Sequence, residues 1–173
     1  EYFANAAEKF TRKLTQNPEI YDRVQNVVLM PPKKVNPVPL KTVDMVLTFR
    51  NMHNWINNKI DSEMFSVIHK ILKDDGILGV VAHSKLDNNN RKDAQSGYLS
   101  KNLVVETIRS YGFTLIASSE INANKSDSGN HPKGVWTLPP VLRLGEKDRE
   151  KYIAIGESNR MTLKFKKNLG APN

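Results

Sequence analysis

Strand-like segments separated by helix-like ones constrain the fold of this chain more than any other feature. Near-continuous apolar runs occupy residues 43–49, 77–82 and 113–118. Such runs are typical of strands buried on both faces of a parallel sheet, whereas a half-exposed strand would alternate apolar and polar residues. Parallel neighbours also need long crossover connections, which are usually helices. The pattern therefore predicts an α/β fold in which helices cover both faces of a mostly parallel sheet.

The connections between these runs have helical periodicity. Apolar side chains recur at helical spacing over residues 64–72, behind a cap at Asp61 or Ser62. Ser100 can cap a second helix, and Gly112 can end it because glycine readily adopts the left-handed conformation needed there. Both connections therefore suit the crossovers of a parallel sheet.

The remaining segments give a longer list of expected elements. Residues 2–14 have an amphipathic helical pattern, and the β-branched run at residues 24–30 predicts a strand that ends at two prolines. Residues 74–76 predict a turn, and residues 147–154 a short helix. Residues 161–166 alternate apolar with polar side chains, so this last strand should have one exposed face.

Composition restricts the function classes. A chain of 173 residues with 39% hydrophobic residues suits a single globular domain. Because it has no cysteine, disulfides, thiolate metal sites and cysteine nucleophiles are excluded. No apolar run approaches the roughly 20 residues that span a bilayer, so a soluble segment is expected, cytoplasmic or exported. The net charge of +8 makes nucleic-acid binding conceivable, but the lysines are scattered without interleaved aromatic residues, and it is not favoured.

Several strings resemble a family of predicted bacterial S-adenosylmethionine (SAM)-dependent methyltransferases. Residues 43–55 read VDMVLTFRNMHNW, residues 131–144 read HPKGVWTLPPVLRL, and residues 155–165 read IGESNRMTLKF. The turn LKDDGIL at residues 72–78 is similar to the turn that precedes the fifth strand in class I methyltransferases. The resemblance covers essentially the whole chain.

The resemblance implies a Rossmann-like class I methyltransferase sheet, mostly parallel with an antiparallel last strand. Residues 43–49, 77–82, 113–118 and 161–166 would be its fourth to seventh strands. The glycine-rich turn after the first strand and the acidic residue that ends the second have no counterpart in this sequence. We therefore interpret residues 1–173 as a single, N-terminally incomplete domain, and we expect most of the SAM site upstream of residue 1.

Candidate site residues follow the first apolar run. In open α/β sheets, ligands bind beyond the carboxyl ends of the strands. This rule and the resemblance assign Thr48, Phe49 and Arg50 to cofactor binding. Methyl transfer needs an oriented acceptor and sometimes a base, roles that Asn51 and His53 can fill. The alternative is that this segment only satisfies backbone groups in a turn.

Other candidates lie further along the chain. His83 ends the second run and is another possible base, or else a solvated histidine at a strand end. Trp55, Tyr98 and Trp136 are expected to bind substrate, against the alternative that each packs locally. The connection that contains Trp136, His131 and Arg143 is long enough to form an acceptor pocket or lid. His69 lies within a helix and is interpreted as structural.

Three functions remain open. The first is a SAM-dependent methyltransferase of unknown acceptor, and the second is a catalytically inactive methyltransferase-like interaction module. The third and weakest is RNA binding through the basic C-terminal third. The four histidines lack metal-site spacing, and no G-x-S-x-G motif is present, so a metal centre and serine hydrolysis are set aside. The acceptor and the oligomeric state cannot be read from the sequence.

Overall fold

A computed structural model describes residues 2–29, 38–85 and 91–169 of the chain. Its helices and strands are α1 (Tyr2–Gln16), α2 (Pro18–Tyr21), β1 (Val43–Phe49), α3 (Met52–Asn57), α4 (Asp61–Ile71), β2 (Leu72–His83), α5 (Lys101–Ser110), β3 (Phe113–Ser119), α6 (Arg149–Ile155) and β4 (Arg160–Lys167). Two 3-10 helices occupy Arg91–Ser96 and Gly134–Thr137. The strand and helix bounds agree with the sequence predictions within a few residues for most elements.

The four strands form one mixed sheet in the order β1-β2-β4-β3. β1 and β2 are parallel, while β4 is antiparallel to both of its neighbours, β2 and β3. β3 therefore runs in the same direction as β1 and β2, with β4 inserted between it and β2. This arrangement confirms the predicted Rossmann-like sheet with an antiparallel last strand.

Helices cover one face of this sheet. Phe65 and Ile68 of α4 belong to the same core as Val104 and Ile108 of α5. That core also contains alternate residues of β2 and β4: Leu78, Val80, Ala82, Met161, Leu163 and Phe165. The expectation of helices on both faces is wrong for the described part of the chain. The connections from β1 to β2 and from β2 to β3 advance across the sheet in the same direction, so right-handed crossovers place both helices on one side.

The opposite face, which we call the open face, carries large apolar side chains in contact with solvent. Met45, Leu47 and Phe49 of β1 are 50%, 56% and 55% exposed, and Ile116 of β3 is 48% exposed. The three β1 residues, together with residues of β2, β3 and β4, line a shallow depression of about 410 Å³. Apolar surface of this kind usually marks a region that another structural element or partner covers.

The predicted turn at residues 74–76 lies inside the span of β2. Val43 pairs with Leu72 and Met45 with Ile77, so two steps along β1 match five along β2. The extra residues bulge out of the ladder between those two pairs. Gly76 is needed there, because a Cβ on it would lie 2.9 Å from both Leu72 Cδ2 and Lys73 O.

The other local predictions had mixed outcomes. Ser100 caps α5 by accepting a hydrogen bond from the backbone N of Leu103 at 3.1 Å, and Gly112 follows the helix with φ +82°. The strand predicted at residues 24–30 is wrong for residues 24–29, which form no ladder, and Met30 lies outside the described residues. A strand needs a neighbour to satisfy its backbone groups, and none of the described strands lies beside this segment.

Candidate functional site

The carboxyl ends of β1 and β2 meet at one edge of the sheet, and the chain turns sharply there. The backbone N of Arg50 donates to Val81 O at 2.7 Å, which ties the end of β1 to β2. Arg50 itself has φ +60°, a left-handed conformation that directs the chain away from the strand. Asn51 O then accepts from the backbone N of Asn54 and of Trp55, which starts α3.

Helix α3 points His53 into a cluster of aromatic side chains at this edge. His53 is only 5% exposed, and its ring centroid lies 5.6 Å from that of His83 and 5.9 Å from that of Trp136. The ring of Tyr98 lies 6.5 Å from His83 on another side. We call these four residues the histidine cluster. The structure thus brings together four of the side chains that the sequence nominated separately.

Both histidines of this cluster are held in the neutral form. Burial, followed by the nearby His53, Arg50 and Arg160, lowers the pKa of His83 to about 4. Burial also lowers the pKa of His53 below its usual value. A buried imidazole loses hydration that its charged form needs, and neighbouring positive charges oppose protonation further. Near neutral pH each ring therefore keeps an unprotonated nitrogen that can accept a proton.

One ring nitrogen of His83 is already engaged. Its Nδ1 lies 2.6 Å from Ser158 Oγ, and Ser158 is 5% exposed. A hydrogen bond at Nδ1 fixes the plane of the ring and leaves Nε2 as the nitrogen that can meet a bound molecule. Ser158 was not nominated from the sequence by itself, although it lies within the string IGESNRMTLKF.

Tyr98 connects the histidine cluster to a buried carboxylate. Its hydroxyl donates to Asp127 Oδ2 at 2.7 Å, and burial together with Asp127 raises the pKa of Tyr98. The same carboxylate accepts from His131 Nε2 at 2.8 Å and from the backbone N of Asn159 and Gly129 at 2.7 and 2.8 Å. Tyr98 is fully buried. These contacts favour the alternative in which Tyr98 anchors the long connection.

Glycines allow that connection to pack closely beside the cluster. Gly134 has φ +56°, and a Cβ on it would overlap the carbonyl oxygen of Ser96. The tight contact fixes the 3-10 helix that carries Trp136 against the chain segment before Tyr98. On its outer side, the guanidinium of Arg143 lies 4.9 Å from the ring centroid of Trp136, a cation-π contact.

Other nominated residues lie apart from the cluster. Thr48 is buried toward the helical layer and its Oγ1 accepts from Asn51 Nδ2 at 3.3 Å, whereas Phe49 faces the open side. Trp55 packs edge-on against Phe65, with ring centroids 5.6 Å apart, which favours the packing alternative. A role for these residues in cofactor or substrate binding stays a prediction.

The described residues contain neither a cluster of metal ligands nor a helix that could span a membrane. No group of three metal-ligating side chains is close enough together to hold an ion within the ranges that the structure covers. Among the same residues, no helix combines the length and the apolar character needed to cross a bilayer.

Comparisons with known proteins bear on the fold. No protein-family model matches the sequence, and no curated protein is significantly similar to it. A protein provisionally named sarcosine dimethylglycine methyltransferase, from Galdieria sulphuraria, has a similar structure with a TM-score of 0.55 at 12% identity. The match covers 91% of this chain and 65% of that one. The chain has the fold of class I SAM-dependent methyltransferases.

The methyltransferase fold does not determine the reaction by itself. The [4+2]-cyclase SpnF is also similar, with a TM-score of 0.51 at 15% identity over 78% of this chain and 54% of that one. The chain therefore spans less than two thirds of both neighbours. At such identities the likeness concerns the fold alone, so the chemistry must be argued from the site.

Proposed function

We propose that the protein is a SAM-dependent methyltransferase whose acceptor binds at the histidine cluster. The observation that carries this proposal is the pair of neutral imidazoles, His53 and His83, with ring centroids 5.6 Å apart at the carboxyl edge of two parallel strands. Ligands of open α/β sheets bind at this edge. The methyltransferase fold of the neighbouring structures supports the same assignment.

The described residues fit one wall of a SAM site. SAM supplies a methyl group on a sulfonium, which an acceptor atom can attack. Phe49 offers a half-exposed aromatic surface at the end of β1, and the turn at Arg50 presents backbone next to it. Thr48 points the other way, so it can contribute only its backbone. In this proposal, the rest of the cofactor site is formed by polypeptide that precedes these residues, in line with the longer neighbouring chains.

The chain's own groups provide positioning and a proton acceptor. Nε2 of His83 would take the proton that the acceptor loses, in the tautomer whose Nδ1–H donates to Ser158 Oγ. Ser158 holds the opposite ring nitrogen and thereby the orientation of the base. The rings of His53 and Trp136, with centroids 5.9 Å apart, form an aromatic wall on one side of the cluster. Asn51 lies at the rim, where its amide could contact the acceptor.

Calorimetric titration of the natural full-length protein with SAM tests this function. We expect saturable binding, about tenfold weaker in Phe49→Ala because an aromatic wall is lost. Phe10→Ala is the matched control, since Phe10 lies in α1 and is also half-exposed. His83→Gln should retain the affinity of the parent protein because the base contacts the acceptor. Absence of binding at millimolar SAM would refute the proposal.

The open face motivates one alternative, a catalytically inactive methyltransferase-like module. Its exposed apolar residues could serve an interaction surface in a protein that no longer transfers methyl groups. This alternative predicts that the full-length protein does not bind SAM. The calorimetric titration therefore separates the two functions.

A further inference from the structure

Two arginines flank His83 from the strands on either side of it. Arg160, the first residue of β4, pairs in register with His83. On the other side, Arg50 follows β1, and its backbone N bonds to Val81 O. Both positive charges are close enough to His83 to lower its pKa, which agrees with this placement. The candidate base thus lies between two cationic side chains.

These arginines are incompletely paired. Among the residues that the structure describes, no carboxylate forms an ion pair with Arg50. Arg160 pairs through Nη2 with Glu157 at 2.6 Å, but its Nε is buried and has no hydrogen-bond partner. A buried donor without an acceptor costs free energy, and a bound group commonly satisfies it. A bound group that accepts hydrogen bonds would satisfy this donor, on the strand position that pairs with His83.

The nearest buried carboxylate cannot fill this role. Asp127 has a fully buried side chain, and both of its oxygens already accept two hydrogen bonds each, from Tyr98, His131 and two backbone amides. His53 and His83 are neutral and add no negative charge. Among the described residues, therefore, no carboxylate pairs with Arg50, and the buried Nε of Arg160 lacks an acceptor even though Glu157 pairs with Nη2.

We propose that the methyl acceptor carries an anionic group, a carboxylate or a phosphate, that binds between Arg50 and Arg160. Guanidinium groups bind both kinds of anion through paired, charge-assisted hydrogen bonds. An anion beside His83 would offset the two arginines and make the ring a stronger base. The inference rests on the proposed function and gives the Arg50 side chain a partner other than the cofactor to which the sequence assigned it.

Titration of the natural full-length protein with small anions tests this site. Inorganic phosphate and benzoate are the separate probes, with chloride at matched ionic strength as the reference. NMR resonances of the His83 ring report binding, and we expect one or both probes to saturate and to raise the pKa of His83. Arg50→Gln and Arg160→Gln should each lower the affinity for the anion that binds by about tenfold or more. Arg109 on α5 is an exposed arginine paired with Glu106, so Arg109→Gln should leave the affinity for the anion unchanged.

Two variants and two ligands keep the result interpretable. Arg50 is exposed, so Arg50→Gln remains informative if Arg160→Gln impairs folding. The inference would be overturned if Arg50→Gln and Arg109→Gln had the same affinity for the anions. It would also be overturned if chloride shifted the His83 resonances as much as phosphate and benzoate do. Loss of phosphate and benzoate binding in saturating S-adenosylhomocysteine would also overturn it, since the arginines would then bind the cofactor's carboxylate.

Calorimetry with SAM on the same samples separates the inference from the proposed function. If SAM binds but neither anion does, the acceptor class is wrong while the methyltransferase assignment stands. If an anion binds at the arginines and SAM does not, the anion site stands and the methyltransferase assignment fails.

Discussion

The low pKa of His83 makes the stability of the protein depend on pH. The folded state holds this pKa at about 4, below the ordinary 6.5, so the unfolded chain takes up the proton first as the pH falls. His83 therefore contributes stability at neutral pH that is lost between pH 6.5 and 4, an effect of up to roughly 3 kcal/mol. Urea denaturation at pH 7 and pH 5 should show about 2 kcal/mol of this loss, and His83→Gln should reduce it. An unchanged difference in His83→Gln would contradict the assignment.

Single residues show where sequence reasoning succeeds at a site and where it stops. His53 and His83 could be nominated because one follows β1 and the other ends β2, and the carboxyl ends of these two strands share one edge. Ser158 and Asp127 could not, since they reach this edge from a long connection with no periodic pattern. Trp55, two residues after His53 on α3, packs against Phe65 instead of joining the histidine cluster, and its role in substrate binding stays a prediction.

At the scale of elements, the first turn of α5 depends on its cap. The hydroxyl of Ser100 accepts from the backbone N of Leu103, one of the amides that a helix start leaves without a partner. Ser100→Ala should lower the free energy of unfolding by about 1 kcal/mol. Ser110→Ala, at the exposed end of the same helix, should change it by less than about 0.5 kcal/mol. Equal effects in urea denaturation would show that the cap contributes nothing.

The 3-10 helix that carries Trp136 depends on the close contact at Gly134. Gly134→Ala should force this helix away from Ser96 and change the tryptophan fluorescence. Gly145→Ala is a matched control, because Gly145 has φ +63° but no atom near its missing Cβ, so it shares only the backbone strain. We expect Gly134→Ala to destabilise by about 1–3 kcal/mol more than Gly145→Ala. If Gly134→Ala and Gly145→Ala had the same melting temperature, the close packing of Gly134 against Ser96 would be contradicted.

Elements were predicted best where the local pattern was long. The strands and the helices α4 and α5 follow from apolar runs and, for α5, from the cap at Ser100. The cap predicted for α4 at Asp61 or Ser62 is wrong, because Ile60 occupies the N-cap position and forms no side-chain cap hydrogen bond. Helix α3 was missed because its six residues are too few to establish a period. The placement of β4 between β2 and β3 depends on long-range pairing, which the alternation of its side chains does not encode.

For the whole molecule, the open face is the largest feature that sequence patterns described incorrectly. Met45 and Leu47 looked fully buried in an apolar run, yet each is about half exposed in the described part of the chain. A protein of these 173 residues should therefore bind a hydrophobic fluorescent dye. Leu47→Lys should reduce the dye signal, and Ile121→Lys, at an exposed turn residue outside this face, should not. Equal dye signals from the two variants would indicate that another part of the chain covers the face.

The central claim, that methyl transfer takes place at the histidine cluster, can be tested by one NMR measurement. The natural full-length protein would be saturated with SAM labelled with carbon-13 in the transferred methyl group, and nuclear Overhauser effects from that methyl would be recorded. The account predicts contacts to the ring protons of His53 and His83. Contacts from bound SAM to Met45 and Leu47 on the open face instead, with none to either histidine, would contradict it.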